Sequence, residues 1–391
     1  MKIVHVEPYF QPELGYQTYY LAKTQAESGN EVCVITSDRY VPFRNYSSTV
    51  RDVLGPRHRT PGVSFERGLK VIRLPVIWEL ASVEKLWLYG LRRALIKLKP
   101  EIIFVHGLDI EAVRICKLKP FLPNTKIIAD CHMVFQASRG GWVKAYYYLH
   151  KLFLSKILVK YVDAFVAVSY KTKKFMEVIL GISPERITVI SLGCDTNLFR
   201  RDEDAREKVR LKYGIERNDV VFIYAGKIIP QKGPHLLIDA ALSLCKEHNN
   251  VKVMLVGGGA SDYLSMIKRK VEGSSLRKNF IFVPMVLNSE LFRFYSAADV
   301  GVWPSQSSMT MFEAMSCSLP VIISDRSEVT ERVSAGNGLT YMAGDAKDLA
   351  EKMKTMLNPK LRGVMSLRAR EFAEKNDWNV ISKRFLELVD I

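Results

Sequence analysis

The chain has 391 residues, 48% of them hydrophobic and 25% charged, with a formal net charge of +16. That length exceeds one ordinary hydrophobic core and that composition excludes a disordered chain, so two globular domains are expected. Six cysteines with no CxxC pair exclude a disulfide framework and a cysteine-rich zinc site, and point to a reducing, cytoplasmic setting.

The charge is uneven along the chain. Residues 1–195 carry 28 Lys and Arg against 17 Asp and Glu, a difference of +11, whereas residues 196–391 carry 29 against 24, a difference of +5. The first half is therefore expected to face an anionic partner. The start, "MKIVHVEPYF", reads as a strand and not as a secretory leader, and no apolar run reaches the roughly 18 residues of a membrane span.

In chain order, short β-branched runs alternate with helical periodicity. The first half offers "KIVHVEP", "EVCVITS", "KVIRLP", "EIIFVHG", "KIIADCH", "DAFVAVS" and "RITVIS" as strands. Between them, "YQTYYLAKTQAESGN" and "EKLWLYGLRRALIKLKP" read as amphipathic helices. A polar stretch without strand period, residues 193–208, suits an interdomain linker. The pattern then restarts with "DVVFIYAGK", "VKVMLVGGG", "NFIFVP", "DVGVWPS" and "LPVIIS", and ends in a helical segment. Strands alternating with helices imply parallel sheets covered on both faces, whose ligands bind beyond the carboxyl ends of the strands.

The loops after those strands carry the candidate chemistry. "YAGKIIPQKG" turns at Gly226 and sets Lys227 and Lys232 at a helix start, where free amides already favour anions; a diphosphate fits there, as does a merely solvated turn. "LVGGGA" is a strand–glycine–helix turn without the GK[ST] of a Walker loop. In "SSMTMFEAM", Ser308, Met309 and Thr310 open a helix and form a second anion site. Glu313, one turn in, cannot share a phosphate; it accepts paired hydrogen bonds from a vicinal diol such as ribose, or serves only as stabilising N-terminal charge.

In the first half, Gly15 in "PELG" permits close approach of a ligand, and "DCH" brings His132 to a strand end as a catalytic candidate or a satisfied core group. The "DED" of Asp202–Asp204 precedes a helix and reads as N-terminal helix charge, not as a metal-binding DxD. Residues 139–162 mix aromatics with Lys144, Lys151, Lys156 and Lys160, a pattern of either a membrane-surface helix or a core helix with snorkelling lysines.

Taken as a set, these pieces resemble the retaining glycosyltransferases of family four. The resemblance runs through "PELG", "DCH", "VSYKTKKFM", "VISLGCDTNLF", "AGKIIPQKG", "LVGGG", "AADVGVWPS" and "FEAMSCSLPVI". It implies the GT-B fold, two Rossmann-like doubly wound domains facing a central cleft. The expected boundaries are 1–197 for the acceptor domain and 198–373 for the nucleotide-sugar domain, with a C-terminal helix over 374–391 packing back on the first.

It also implies that Lys227 and Lys232 bind the donor diphosphate beside the turn at Gly226, a donor-binding residue, that Gly15 allows phosphate approach, and that Ser308, Met309 and Thr310 make helix-start contacts. By the same resemblance Glu313 holds the ribose and His132 lies beside the donor sugar. The chain departs from the pattern at three places. Lys227 replaces an arginine, Tyr16 replaces a second glycine, and Ser305, eight residues before Glu313, replaces the first of two glutamates in a shortened loop.

The expected activity is transfer of a sugar from a UDP- or GDP-linked donor, with retention, to a glycan or lipid-linked acceptor. No cofactor and no metal are implied, no nucleic-acid module is seen, and an anionic inner membrane surface is an expected partner. A nucleotide-sugar epimerase of the same architecture and a non-catalytic nucleotide-sugar-binding subunit are the alternatives.

Overall fold

The computed structural model describes residues 1–43, 46–81, 84–135, 141–306, 308–327 and 329–389. The chain divides into two compact units, Met1–Pro42 with Pro56–Leu192 and Trp378–Ile391, and Phe43–Gly55 with Gly193–Asp377.

The first unit holds strands β1 (Lys2–Val6), β2 (Glu31–Ser37), β3 (Gly62–Glu66), β4 (Leu69–Leu74), β5 (Val76–Leu80), β6 (Lys85–Leu88), β7 (Ile102–His106), β8 (Lys126–Cys131), β9 (Ala164–Ala167) and β10 (Ile187–Val189). Eight of them form one sheet in the order β10-β9-β8-β7-β1-β2-β4-β3, parallel except for β3 on β4. β1 lies at its middle, with Val4 opposite Cys33 and Ile103, so its apolar residues are buried on both faces. The second unit holds β11 (Val220–Ala225), β12 (Val251–Val256), β13 (Phe280–Val283), β14 (Val300–Trp303), β15 (Val321–Ser324) and β16 (Gly338–Tyr341), paired in parallel in the order β13-β12-β11-β14-β15-β16.

Several expectations are corrected. "EKLWLYGLRRALIKLKP" is not one helix: Lys85–Leu88 is a strand with Leu86 and Leu88 buried in alternation, paired with β5 in a two-stranded hairpin. Gly90 at φ 80° then turns the chain into a helix confined to Leu91–Leu98. Residues 139–162 begin outside the described residues. From Gly141 they form a helix, a π turn at His150–Leu154 and a second helix, Ser155–Tyr161.

The C-terminal region breaks at Asp377, so only Trp378 onward joins the first unit and not residues 374–377. There Trp378 stacks on Tyr20 with centroids 5.8 Å apart, and Phe385 meets the edge of Phe104 at 5.8 Å. Residues 193–197 belong to the second unit. Cys194 N donates to Asn376 O at 3.2 Å, and Thr196 donates from both N and Oγ1 to Asp377 Oδ2 at 3.0 and 2.7 Å. Arg370 adds bonds to Phe199 O and Ser316 O at 3.1 and 2.7 Å, tying this segment to the helix Thr310–Ser316. Asp202 caps the helix Glu203–Lys212 through Ala205 N at 2.8 Å. Among the described residues no helix is long and apolar enough to cross a membrane.

Asp377→Ala removes the acceptor of both Thr196 bonds in a buried place, which should cost about 1–3 kcal/mol. Calorimetry should therefore record a lower melting temperature than the parent's, and an unchanged one would mean that this aspartate does not hold the segment.

Candidate functional site

In the second unit the candidate residues collect on loops at the carboxyl ends of its parallel strands. After β11 the chain turns at Gly226, whose φ of 146° suits only glycine. Gly226 N donates to Val256 O at 3.0 Å and Ile228 N to Gly258 O at 2.8 Å, so this loop runs against the loop after β12. The approach is close enough that a Cβ on Gly257 would lie 1.9 Å from Gly226 O, and one on Gly259 would lie 2.0 Å from Ile228 O.

Lys227 leaves this loop with its Nζ 4.4 Å from the centroid of the Phe43 ring. Its carbonyl accepts from Tyr224 Oη at 2.7 Å. Lys232 ends a 3₁₀ turn, Pro230–Lys232, that leads through Gly233 into the helix Pro234–Leu244. A Cβ on Gly233 would lie 2.4 Å from Ser305 Oγ, so position 305 abuts the turn that carries Lys232.

The loop after β14 is arranged differently from the sequence expectation. The helix begins at Thr310, with Met309 as its N-cap residue and Ser308 outside it. The Thr310 hydroxyl donates to Ala225 O at 2.8 Å and accepts from Trp303 Nε1 at 3.1 Å. It therefore joins the end of β11 to the start of the helix and has no proton left for a phosphate. Glu313 is 2% exposed. Its Oε1 accepts from Asn288 Nδ2 at 2.7 Å and its Oε2 from Tyr295 Oη at 3.2 Å. Burial pushes its carboxyl up to about 7, against the pull of those two donors.

In the first unit Gly15, at φ 61°, closes the 3₁₀ turn Pro12–Leu14 ahead of the helix Gln17–Glu27. His132 follows β8, 44% exposed, with Nε2 3.6 Å from Asp130 Oδ1. Behind it lies a buried polar chain that motif reading missed. Asp130 Oδ2 accepts from His106 Nδ1 at 2.7 Å and from Gln17 Nε2 at 2.9 Å. His106 Nε2 lies 3.0 Å from His5 Nδ1, and His5 Nε2 lies 2.8 Å from Gln25 Oε1.

The protonation pattern follows from the acceptor at each end. His5 donates to Gln25, so its Nδ1 accepts from His106, and His106 then carries both ring protons. Burial and the neighbouring His106 push His5 down to about 3, so it stays neutral. Burial opposes charge on both His106 and Asp130, but their mutual attraction wins: His106 is raised and Asp130 falls below the usual carboxylate range. Glu7, at the end of β1, accepts from Thr18 Oγ1 at 3.0 Å, and burial pushes its carboxyl up. The signal in the sequence was a histidine or acid on the apolar strands "KIVHVEP", "IIFVHG" and "IIADCH". Asn288 and Tyr295 carried no comparable signal. Among the described residues no group of His, Cys, Asp and Glu is placed to hold a metal ion.

The profile described as "Glycosyltransferase Family 4" matches residues 14–198, and that described as "Glycosyl transferases group 1" matches residues 205–373. The chain belongs to this glycosyltransferase family. Among curated proteins it is 27% identical over 210 residues to a D-inositol 3-phosphate glycosyltransferase of Acidothermus cellulolyticus, covering 51% of this chain and 46% of that protein. It is 26% identical over 210 residues to a GDP-mannose-dependent alpha-(1-6)-phosphatidylinositol monomannoside mannosyltransferase of Mycolicibacterium smegmatis, covering 50% and 54%. The chain spans about half the length of the curated relatives it matches.

Among solved structures it is similar to Anabaena Alr3699/HepE in complex with UDP, with a TM-score of 0.75 and 17% identity over 100% of both chains. It is also similar to WaaG, a glycosyltransferase involved in lipopolysaccharide biosynthesis, with a TM-score of 0.70 and 16% identity over 99% of both chains. The fold is GT-B, an α/β architecture of two units with parallel sheets.

Two outcomes are expected. Gly257→Ala must push the loops after β11 and β12 apart, so it should lower both the melting temperature and the affinity for a nucleoside diphosphate; calorimetry and titration with UDP read the two effects. His106→Gln tests the buried pair. A histidine whose folded value is raised stabilises fully below its unfolded value and loses that stabilisation as pH rises through the folded one. The variant should therefore melt below the parent by the most near about pH 5.5, by roughly 1.5–3 kcal/mol, with the gap narrowing in alkali. A gap that widens with pH would mean that His106 is neutral.

Proposed function

We propose that the protein is a retaining glycosyltransferase that moves a sugar from a nucleoside diphosphate to a lipid-linked or other anionic acceptor. The observation that carries this reading is the paired-loop turn with Lys227 and Lys232, inside a chain matched almost end to end by two glycosyltransferase profiles. In this reading the two lysines stabilise the charge that develops on the leaving diphosphate, where preorganised cations act most strongly. Glu313 accepts the ribose hydroxyls, and in the first unit Gly15 and His132 are the residues assigned to phosphate and sugar. The acceptor attacks on the face the diphosphate leaves, so no enzyme carboxylate serves as nucleophile. UDP is supported as a donor nucleotide by the Anabaena structure, and GDP by the mycobacterial relative.

A thermal-shift screen of UDP-, GDP- and ADP-sugars tests the reading, because a ligand that binds the folded state raises its melting temperature. One nucleotide sugar should stabilise the parent, and Lys232→Ala should weaken its binding by about 1.5–3 kcal/mol, the worth of one charge-assisted contact. If no nucleotide sugar shifts the parent, the donor assignment fails.

The acceptor side is supported by charge and by surface. Residues 1–195 hold the +11 imbalance, and both relatives act on inositol compounds that carry phosphate. On the helical stretch after Gly141, Tyr148, Leu149 and Phe153 are 65%, 52% and 61% exposed beside exposed Lys144, Lys151 and Lys156. The side chain of Trp142 lies outside the described residues. Apolar groups flanked by lysines suit the surface of an anionic bilayer, each lysine adding about 1 kcal/mol within a Debye length. The protein should sediment with anionic liposomes at low salt, less so at high salt, and less so when these three lysines become glutamine. Protein that stays in the supernatant at low salt would remove the membrane from the proposal and leave the donor reading untouched.

A further inference from the structure

Glu313 is buried without a counter-ion. Among the described residues no cation lies within ion-pair distance of it, and its only hydrogen-bond donors are the uncharged side chains of Asn288 and Tyr295. Asn288 opens a 3₁₀ turn after β13, and Tyr295 stands on the helix Leu291–Ala297, so neither belongs to the loops that hold the lysines. The titratable groups that face Glu313 are Tyr295, Cys194 and Cys317, and burial pushes all three up, so they stay neutral.

A buried carboxylate with no cation is costly, and a glutamine would fill the same volume without that cost. The carboxylate has one property a glutamine lacks. After each oxygen accepts one bond, each retains a lone pair, giving two equivalent acceptors side by side.

We propose that Asn288 and Tyr295 are positioning residues, which hold the two oxygens of Glu313 so that their remaining lone pairs accept the two ribose hydroxyls of the donor. This rests on the reading of Glu313 as the ribose acceptor. It adds a condition: recognition of ribose depends on ionisation near neutral pH, because a protonated carboxyl offers fewer lone pairs. The two donors favour the ionised form, and removing either raises the pH at which the ribose is recognised.

The test compares UDP and GDP with their 2′,3′-dideoxy forms by titration calorimetry on the full chain. The parent should prefer the ribose form of the nucleotide it binds by roughly tenfold, the worth of two bonds to a charged acceptor set against water. That preference should grow between about pH 6 and about pH 8, since Glu313 titrates in that interval. Tyr295→Phe, which removes one oxygen, should reduce the preference to roughly threefold, and Asn288→Ala should nearly abolish it at neutral pH and recover part of it in mild alkali.

An unchanged preference in both variants, with loss in Glu313→Gln, overturns the positioning role and leaves Glu313 as ribose acceptor. Equal weakening of ribose and dideoxy forms marks a structural role and also overturns it. A parent without any preference removes the reading of Glu313 itself, and the inference with it. Should Asn288→Ala fail to fold, Tyr295→Phe and the parent's pH dependence decide.

Discussion

The arrangement of the second unit depends on one backbone contact, the side-by-side run of the loops that leave β11 and β12. Parallel pairing ends with Ala225 opposite Val256, yet the two chains continue together through Gly226 N to Val256 O and Ile228 N to Gly258 O. Continuing costs side chains: at Gly257 and Gly259 a Cβ would fall about 2 Å from a carbonyl oxygen. In return, the backbone around Lys227 is fixed by hydrogen bonds and not by a flexible turn. Trp303 at the end of β14 and Thr310 at the start of the following helix both bond to Ala225 O, so two strand ends and a helix start meet at one carbonyl. The positions of Lys227 and of the helix bearing Glu313 are thus set together.

Around the candidate residues the two units place charge differently. In the second, Lys227 and Lys232 lie on a loop and a turn while Glu313 is buried among neutral groups. In the first, the charges are buried together, as a His106–Asp130 pair that His5, Gln17 and Gln25 surround with donors and acceptors. The mutual attraction of this buried pair, with the bonds from His5 and Gln17, offsets much of its desolvation, and it fixes the strand ends of β1, β7 and β8 relative to the helix Gln17–Glu27. Asp130 Oδ1, buried and without a hydrogen-bond partner among the described residues, then points its charge toward His132.

What was legible in the sequence was local. Period and β-branching marked seven of the eight strands of the first sheet and five of the six of the second, leaving out β3 and β16, and glycine with lysine marked the loop at 226–233. Asp202 as a helix cap could be read from its place before an amphipathic run. The misses are all contacts between distant positions. His5 meets His106 across 101 residues, and Gln17 meets Asp130 across 113. No spacing rule links such residues before the sheet order is known. The two buried leucines of "KLWL" fit the period of a helix as well as that of a strand, and only pairing with β5 decides for the strand. The hydroxyl of Thr310 was legible as polar at a helix start, but its partner on β11 was not.

The shortened loop before Glu313 changes the electrostatics more than its length suggests. Ser305 stands against Gly233, next to Lys232, at the place where the resemblance implies the first of two glutamates. A carboxylate there would offset part of the positive potential of the two lysines at short range, where screening is weakest. A serine leaves that potential whole. Glu313 offsets it less than its formal charge implies, since burial pushes its carboxyl up to about 7 and leaves it only partly ionised at neutral pH. Both features raise the attraction of this loop system for a polyanion.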